Sequence, residues 1–150
     1  MKNVPVGEYH LRVHSGEAAS FVAADRVVVV DGSAPIVGVE LELSFFVGSV
    51  KGRAVDAAGK PIERALVVLQ SVEPGKLQDA RYRHVYRATA AGEFAITGVA
   101  PGEYLLFAWH GEAGQIGDPD LFALAKGKTR TITVKSGTTI SRDATQLLNP

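Results

Sequence analysis

The sequence predicts an all-β sandwich with one short helix. Three observations carry this. Apolar residues alternate with polar ones in short segments rich in Val, Ile, Tyr and Phe, the period of a strand with a buried face. Turn-forming clusters separate these segments: DAAGKP at 56–61, EPG at 73–75, AG at 91–92, APG at 100–102 and SG at 136–137. Only one stretch, DPDLFALAKGK at 118–128, has helical signals.

In chain order, the expected strands are GEYHLRV (7–13), DRVVVVDG (25–32), GVELELSFFVG (38–48), SVKGRAVD (49–56), ALVVLQSV (65–72), RYRHVYRATA (81–90), GEFAITGV (92–99), GEYLLFAWH (102–110) and TRTITVKSG (129–137). Each is bounded by Gly, Pro, Asp or Ser, and each is enriched in residues that suit a pleated, half-buried surface. In 102–110, Tyr104, Leu106 and Ala108 share one face, and Leu105, Phe107 and Trp109 share the other. Both faces are apolar, so this strand is expected to be central, with cover on each side. In 81–90, Arg81, Arg83, Val85 and Arg87 fall on one face, and Tyr82, His84 and Tyr86 on the other. The helix is expected to start at an Asp118 N-cap with Pro119 at its first position and to close at Gly127.

A chain of 150 residues suits one domain, or one domain and a fragment. Lys plus Arg and Asp plus Glu both number 16, so the net charge is zero. Such a chain lacks the cationic excess of a nucleic-acid binder, and no nucleic-acid partner is expected. The absence of cysteine excludes disulfides, thiolate catalysis and Cys-ligated zinc. No apolar run approaches the roughly 20 residues that span a bilayer, so no membrane insertion is expected. The N-terminal MKNVPVGEYHLRV has no apolar signal core.

The chain also contains an internal repeat. Gly7-Glu8-Tyr9 aligns with Gly102-Glu103-Tyr104, a spacing of 95 residues, and Gly16-Glu17-Ala18 aligns with Gly111-Glu112-Ala113. Downstream, DRVVVVDGSAPIVGVELEL aligns with TRTITVKSGTTISRDATQL. That period matches a whole sandwich rather than a solenoid unit. Residues 48–150 then form a complete sandwich. Residues 1–47 form a partial β domain, the C-terminal half of a preceding repeat, with three strands whose edges invite pairing.

The pattern VKGRAVDAAGKPIERALVVLQ followed by YRATAAGEFAITGVAPGEYLLFAW resembles the carboxypeptidase regulatory-like domain, which is related to the Cna protein B-type repeats. The matching elements are Gly52, Val55-Asp56, Gly59-Lys60-Pro61, Ala65, Gly92, Phe94, Gly98-Val99, Pro101-Gly102 and Tyr104. The resemblance implies a seven-stranded transthyretin-like (Greek-key) sandwich. It also implies a non-catalytic structural or interaction module of a bacterial extracellular or cell-envelope protein, with no cofactor. Expected partners are protein, by self-association or with neighbouring domains of a larger chain, and possible polysaccharide. Each matching residue has a backbone role. Gly59 and Pro61 tighten a hairpin, Pro101-Gly102 fits a type II turn, and the Tyr104 hydroxyl is expected to find a backbone partner near a strand corner.

The candidate ligand-binding residues are Trp109, His110, Tyr82 and Tyr86. The three aromatics are the kind of platform on which sugar rings stack, and Arg and Tyr together mark binding surfaces. The plainer alternatives are that the tyrosines are core and that Trp109, with Phe122, supports the helix. His10 and His14 would lie about 13 Å apart along a strand, too far to share a metal. His110, Glu112, Asp118 and Asp120 would make at most a weak divalent site, so no metal is expected. The same fold class includes hydroxyisourate hydrolases, whose Tyr-Arg-Gly-Ser tail this sequence replaces with TQLLNP, and no enzyme activity is expected. Lys51 with Asp143 or Asn149 has the residue types of an isopeptide bond, but the Lys51-Gly52-Arg53 pattern reads as solvent-facing.

Overall fold

A computed structural model describes residues 4–11, 21–22, 27–40, 43–110 and 113–147. Its strands are β1 (Gly7–His10), β2 (Phe21–Val22), β3 (Val27–Val30), β4 (Leu43–Ser44), β5 (Gly48–Val55), β6 (Leu66–Ser71), β7 (Arg83–Arg87), β8 (Glu93–Val99), β9 (Gly102–Trp109), β10 (Thr131–Val134), β11 (Thr139–Ser141) and β12 (Ala144–Thr145). Among the described residues there is one α-helix, α1 (Pro119–Lys128), between β9 and β10.

Strands β5 to β12 build the sandwich. One sheet has the order β10-β9-β6-β7, with every pair antiparallel. In the other, β5 pairs with β8 on one side and with both β11 and β12 on the other, the last two running parallel to it. Because β11 and β12 continue along the same edge of β5, they form one final strand with a break at 142–143. This gives the seven-stranded Greek key that was expected, with β9 beside β6 rather than beside its sequence neighbour β8.

The two faces of β9 are used as the alternation requires. Tyr104, Leu106 and Ala108 enter the core between the sheets with Val50, Val67, Leu69, Phe94, Ile96 and Val134. Leu105, Phe107 and Trp109 turn the other way and meet Leu121 and Ala125 of α1, together with Val68 and Leu147. The helix begins where its caps dictate. The Asp118 carboxylate accepts a 2.8 Å hydrogen bond from the Asp120 N–H, and Pro119 occupies the first turn, where its missing N–H costs nothing. Gly127 does not end the helix as expected. Thr129 is the C-cap, its N–H donating to the Ala125 carbonyl at 2.8 Å, so Gly127 lies in the last turn.

Hairpin chemistry fixes the rest. Asp56 Oδ1 accepts from the N–H groups of Ala58 and Lys60, both at 2.9 Å, while Gly59 adopts φ 83°, the left-handed conformation that glycine takes without strain. Pro101-Gly102 is not the type II turn expected. Gly102 has φ 152°, far from the value near +80° such a turn needs, and it starts β9 directly.

Residues before β5 form two small antiparallel pairs, β1 with β3 and β2 with β4. Of the long strand expected at 38–48, the described residues show Leu43–Ser44 as strand, residues 38–40 and 45–47 lie outside any strand, and Phe45 and Phe46 are exposed. Alternation supplies two faces, but a ladder also needs a partner, and residues 35–39 have none among the described residues.

Candidate functional site

An open groove of about 800 Å³ lies beside β5. Lys51, Arg53, Tyr86, Glu93, Arg142 and Asp143 line it. Its position follows from the break in the final strand. The Arg142 N–H still bonds the Lys51 carbonyl at 2.9 Å, but the next ladder position is filled by a side chain: Asp143 Oδ1 accepts from the Arg53 N–H at 3.0 Å. The chains approach so closely here that a Cβ on residue 52 would collide with the Arg142 carbonyl, which explains Gly52. Period two places Lys51 and Arg53 on the same, solvent-facing side of β5, while Val50 and Ala54 enter the core. Tyr86, on the edge strand β7, is 39% exposed. The groove therefore offers three cationic side chains, two carboxylates and one exposed aromatic ring. This set can hydrogen-bond and stack, and it suits a hydroxyl-rich or acidic ligand.

Of the expected ligand-binding residues, only Tyr86 lines this groove. Tyr82 is not on the strand. Asp79 caps a 3-10 turn at Ala80–Tyr82, its carboxylate accepting from the Arg81 N–H at 3.0 Å and pairing with the Arg81 guanidinium at 2.6 Å. The strand thus starts at Arg83, and the expected row of Tyr82, His84 and Tyr86 is broken. The half-buried Tyr82 ring instead lies under two cations, Lys76 Nζ at 4.5 Å and Arg81 Cζ at 5.4 Å from its centroid. Trp109 is 3% exposed within the cluster beneath α1, leaving no ring face for a ligand. His110 is exposed just beyond β9. Asp118, considered as a metal ligand, is committed to the helix cap. His14, Glu112 and Asn149 lie outside the described residues. Lys51 is exposed.

A second, smaller cavity of about 90 Å³ lies between α1 and the first sheet. Arg83 reaches into it, with Nε donating to Gln70 Oε1 at 2.6 Å and Nη2 to the Leu77 carbonyl at 3.0 Å. The guanidinium packs so tightly against Gly117 that a Cβ there would come within 2.6 Å of Nη1. This arginine holds the 72–82 connection to the sheet.

Tyr104 Oη donates to the Ala100 carbonyl at 2.7 Å, the backbone partner expected for it, and burial pushes the phenol well above its usual pKa. Arg53, Glu93 and Arg142 were missed as groove residues. The Lys-x-Arg spacing on one face of β5 was a readable signal, but the break that brings Arg142 and Asp143 beside it was not.

These features define a β-sandwich module whose most distinctive polar residues hold backbone. The chain belongs to the family described as polysaccharide lyase family 4, domain II, which it matches over residues 48–142. This is a different label from the carboxypeptidase regulatory-like domain that the motifs resemble; what stands is the β-sandwich class. No curated protein matches the chain. Among solved structures it is similar to the TIE protein of Bacillus anthracis, at 14% identity and TM-score 0.43 over 81% of this chain and 19% of that one. It is also similar to BcpA, the major pilin subunit of Bacillus cereus (18%, 0.39, 65% and 28%), and to GBS52, the minor pilin of Streptococcus agalactiae (20%, 0.38, 100% and 64%). The chain thus spans about a fifth of the first and just over a quarter of the second. No helix among the described residues is long and apolar enough to cross a membrane.

Proposed function

We propose that this chain is a non-catalytic structural and interaction module of a larger bacterial extracellular or cell-envelope protein, associating with other polypeptide through its strand edges. The observation that carries the reading is where the polar groups are spent. Asp56 and Asp118 cap turns, Asp143 replaces a ladder partner, and Tyr104 ties a corner. Carboxylates and phenols committed in this way are poor candidates for proton transfer. Membership of a family named as the second domain of a polysaccharide lyase supports a module within a multidomain protein. Among the described residues, β7, β8 and β10 are sheet-edge strands, the positions at which strand addition occurs. The test is incubation of the pure protein with a panel of polysaccharides, scoring new reducing ends. None above buffer is expected, and reproducible cleavage overturns the reading.

The groove favours a second reading, a carbohydrate-binding module. An exposed tyrosine beside Lys51, Arg53 and Arg142 suits an acidic polysaccharide, its ring stacking on a sugar while the cations meet carboxylates. Calorimetric titration with acidic oligosaccharides, repeated on Tyr86→Ala, decides it. Heat that the variant abolishes supports binding, and no heat from the native chain rejects it.

A further inference from the structure

The structure assigns residues 4–11 and 27–40 a missing counterpart. We propose that they form the C-terminal half of a second sandwich, and that the polypeptide covering them is a half-repeat with the strand pattern of 48–98. The inference rests on the reading of this chain as a module of a larger protein, and it names the partner.

Register is the first observation. In β1 and β3, Gly7 pairs with Val30, Glu8 with Val29, Tyr9 with Val28 and His10 with Val27. In β9 and β10, Gly102 pairs with Val134, Glu103 with Thr133, Tyr104 with Ile132 and Leu105 with Thr131. These are the same pairings at every position, although the connection between strands is longer in the second copy. The second observation is a shared tertiary detail. Tyr9 Oη donates to the Pro5 carbonyl at 2.8 Å, as Tyr104 Oη donates to the Ala100 carbonyl at 2.7 Å, each four residues back.

The third observation is burial, where the copies differ. Val99 is 0% exposed, but its equivalent Val4 is 57% exposed. Tyr104, Ile132 and Val134 are buried, but Tyr9, Val28 and Val30 are only half-buried. Ile140 packs against the core, but Ile36 is 45% exposed. Among the described residues, the first copy has its paired strands and core-facing side chains without a layer that buries them.

The complete copy identifies that layer. Strand β9 has β6 antiparallel on its second edge, and β11 has β5 running parallel to it. Among the described residues, β1 has a strand partner on one edge alone, in a two-stranded sheet, and 35–39 is extended chain outside any ladder. A partner with the pattern of β5 to β8 fills both edges and closes a core on Val4, Tyr9, Val28, Val30 and Ile36.

The test joins residues 48–98 directly ahead of Val4 in the full chain, which recreates the order of the complete copy, and follows amide hydrogen exchange. Amides in 7–10 and 27–30 are expected to slow towards the rates of 102–105 and 131–134. The same fusion carrying Val4→Asp is expected to lose that protection and keep it in β9 and β10. Unchanged exchange in β1 and β3 overturns the proposal. So does slow exchange in the unfused chain that weakens on dilution, because the cover is then a second copy. Should the fusion aggregate, a synthetic 48–98 peptide added to the native chain gives the same readout, and no protection from either source overturns the proposal. Polysaccharide cleavage by a chain that passes this test would overturn the non-catalytic reading and leave the half-repeat in place.

Discussion

Tyr9 and Tyr104 make the same hydrogen bond in different surroundings, so the pair separates the worth of the bond from the worth of its burial. Removing the Tyr104 hydroxyl with Tyr104→Phe strands the buried Ala100 carbonyl, an expected loss of about 1–3 kcal/mol by denaturant unfolding. Tyr9→Phe leaves a carbonyl that water can reach, and its expected loss is under about 0.5 kcal/mol. Tyr104 also sets a pH dependence. Burial raises its folded pKa above the unfolded value near 10, so the folded state holds its proton where the unfolded chain releases it. Stability from this group is complete below pH 10 and declines as pH rises above it. The native protein should therefore lose more stability between pH 9 and 11 than Tyr104→Phe does, and equal losses would remove Tyr104 as the cause. At Gly52 the constraint is steric: Gly52→Ala forces the Arg142 carbonyl aside and is expected to destabilise by about 1–3 kcal/mol, read from the urea midpoint.

At the scale of elements, what could be read in advance depended on whether a segment carries its own instructions. β9 could be read because both its faces are apolar, and α1 because Asp118 and Pro119 mark its start. The groove could not, because it comes from the break between β11 and β12, where Asp143 takes a ladder position that only tertiary structure defines. The start of β7 was misplaced for a local reason: Asp79 recruits the Arg81 N–H into a 3-10 turn, which competes with the strand that alternation suggests. Helix α1 gives a measurable consequence. Trp109 is the only tryptophan, and it shares a cluster with Leu121 of α1, so its fluorescence reports on docking of the helix. Leu121→Asp places a charge in that cluster and is expected to shift Trp109 emission to the red. Asp118→Ala removes only the cap and should cost about 1 kcal/mol without shifting the emission. A red shift from both would mean that the cap, rather than the apolar contact, holds the helix in place.

For the molecule as a whole, repetition in the sequence does not give equal stability to the two copies. Strand register is matched residue for residue between β1–β3 and β9–β10, so any difference in their protection reports what lies over them. The second pair has Tyr104, Ile132 and Val134 buried in the core between the sheets, whereas the equivalent Tyr9, Val28 and Val30 of the first are only half-buried and Val4 beside them is largely exposed. An isolated two-stranded pair is marginal in water, and stability comes from the apolar face it buries. In the native chain, amides of 7–10 and 27–30 should therefore exchange through local opening at low free energy, while those of 102–105 and 131–134 should require opening of the whole sandwich. Hydrogen exchange followed by mass spectrometry on a monomeric sample measures both sets in one experiment. Equal protection would mean that the ladder itself, and not the covered core, holds these strands, and the burial contrast between the copies would then have no energetic weight.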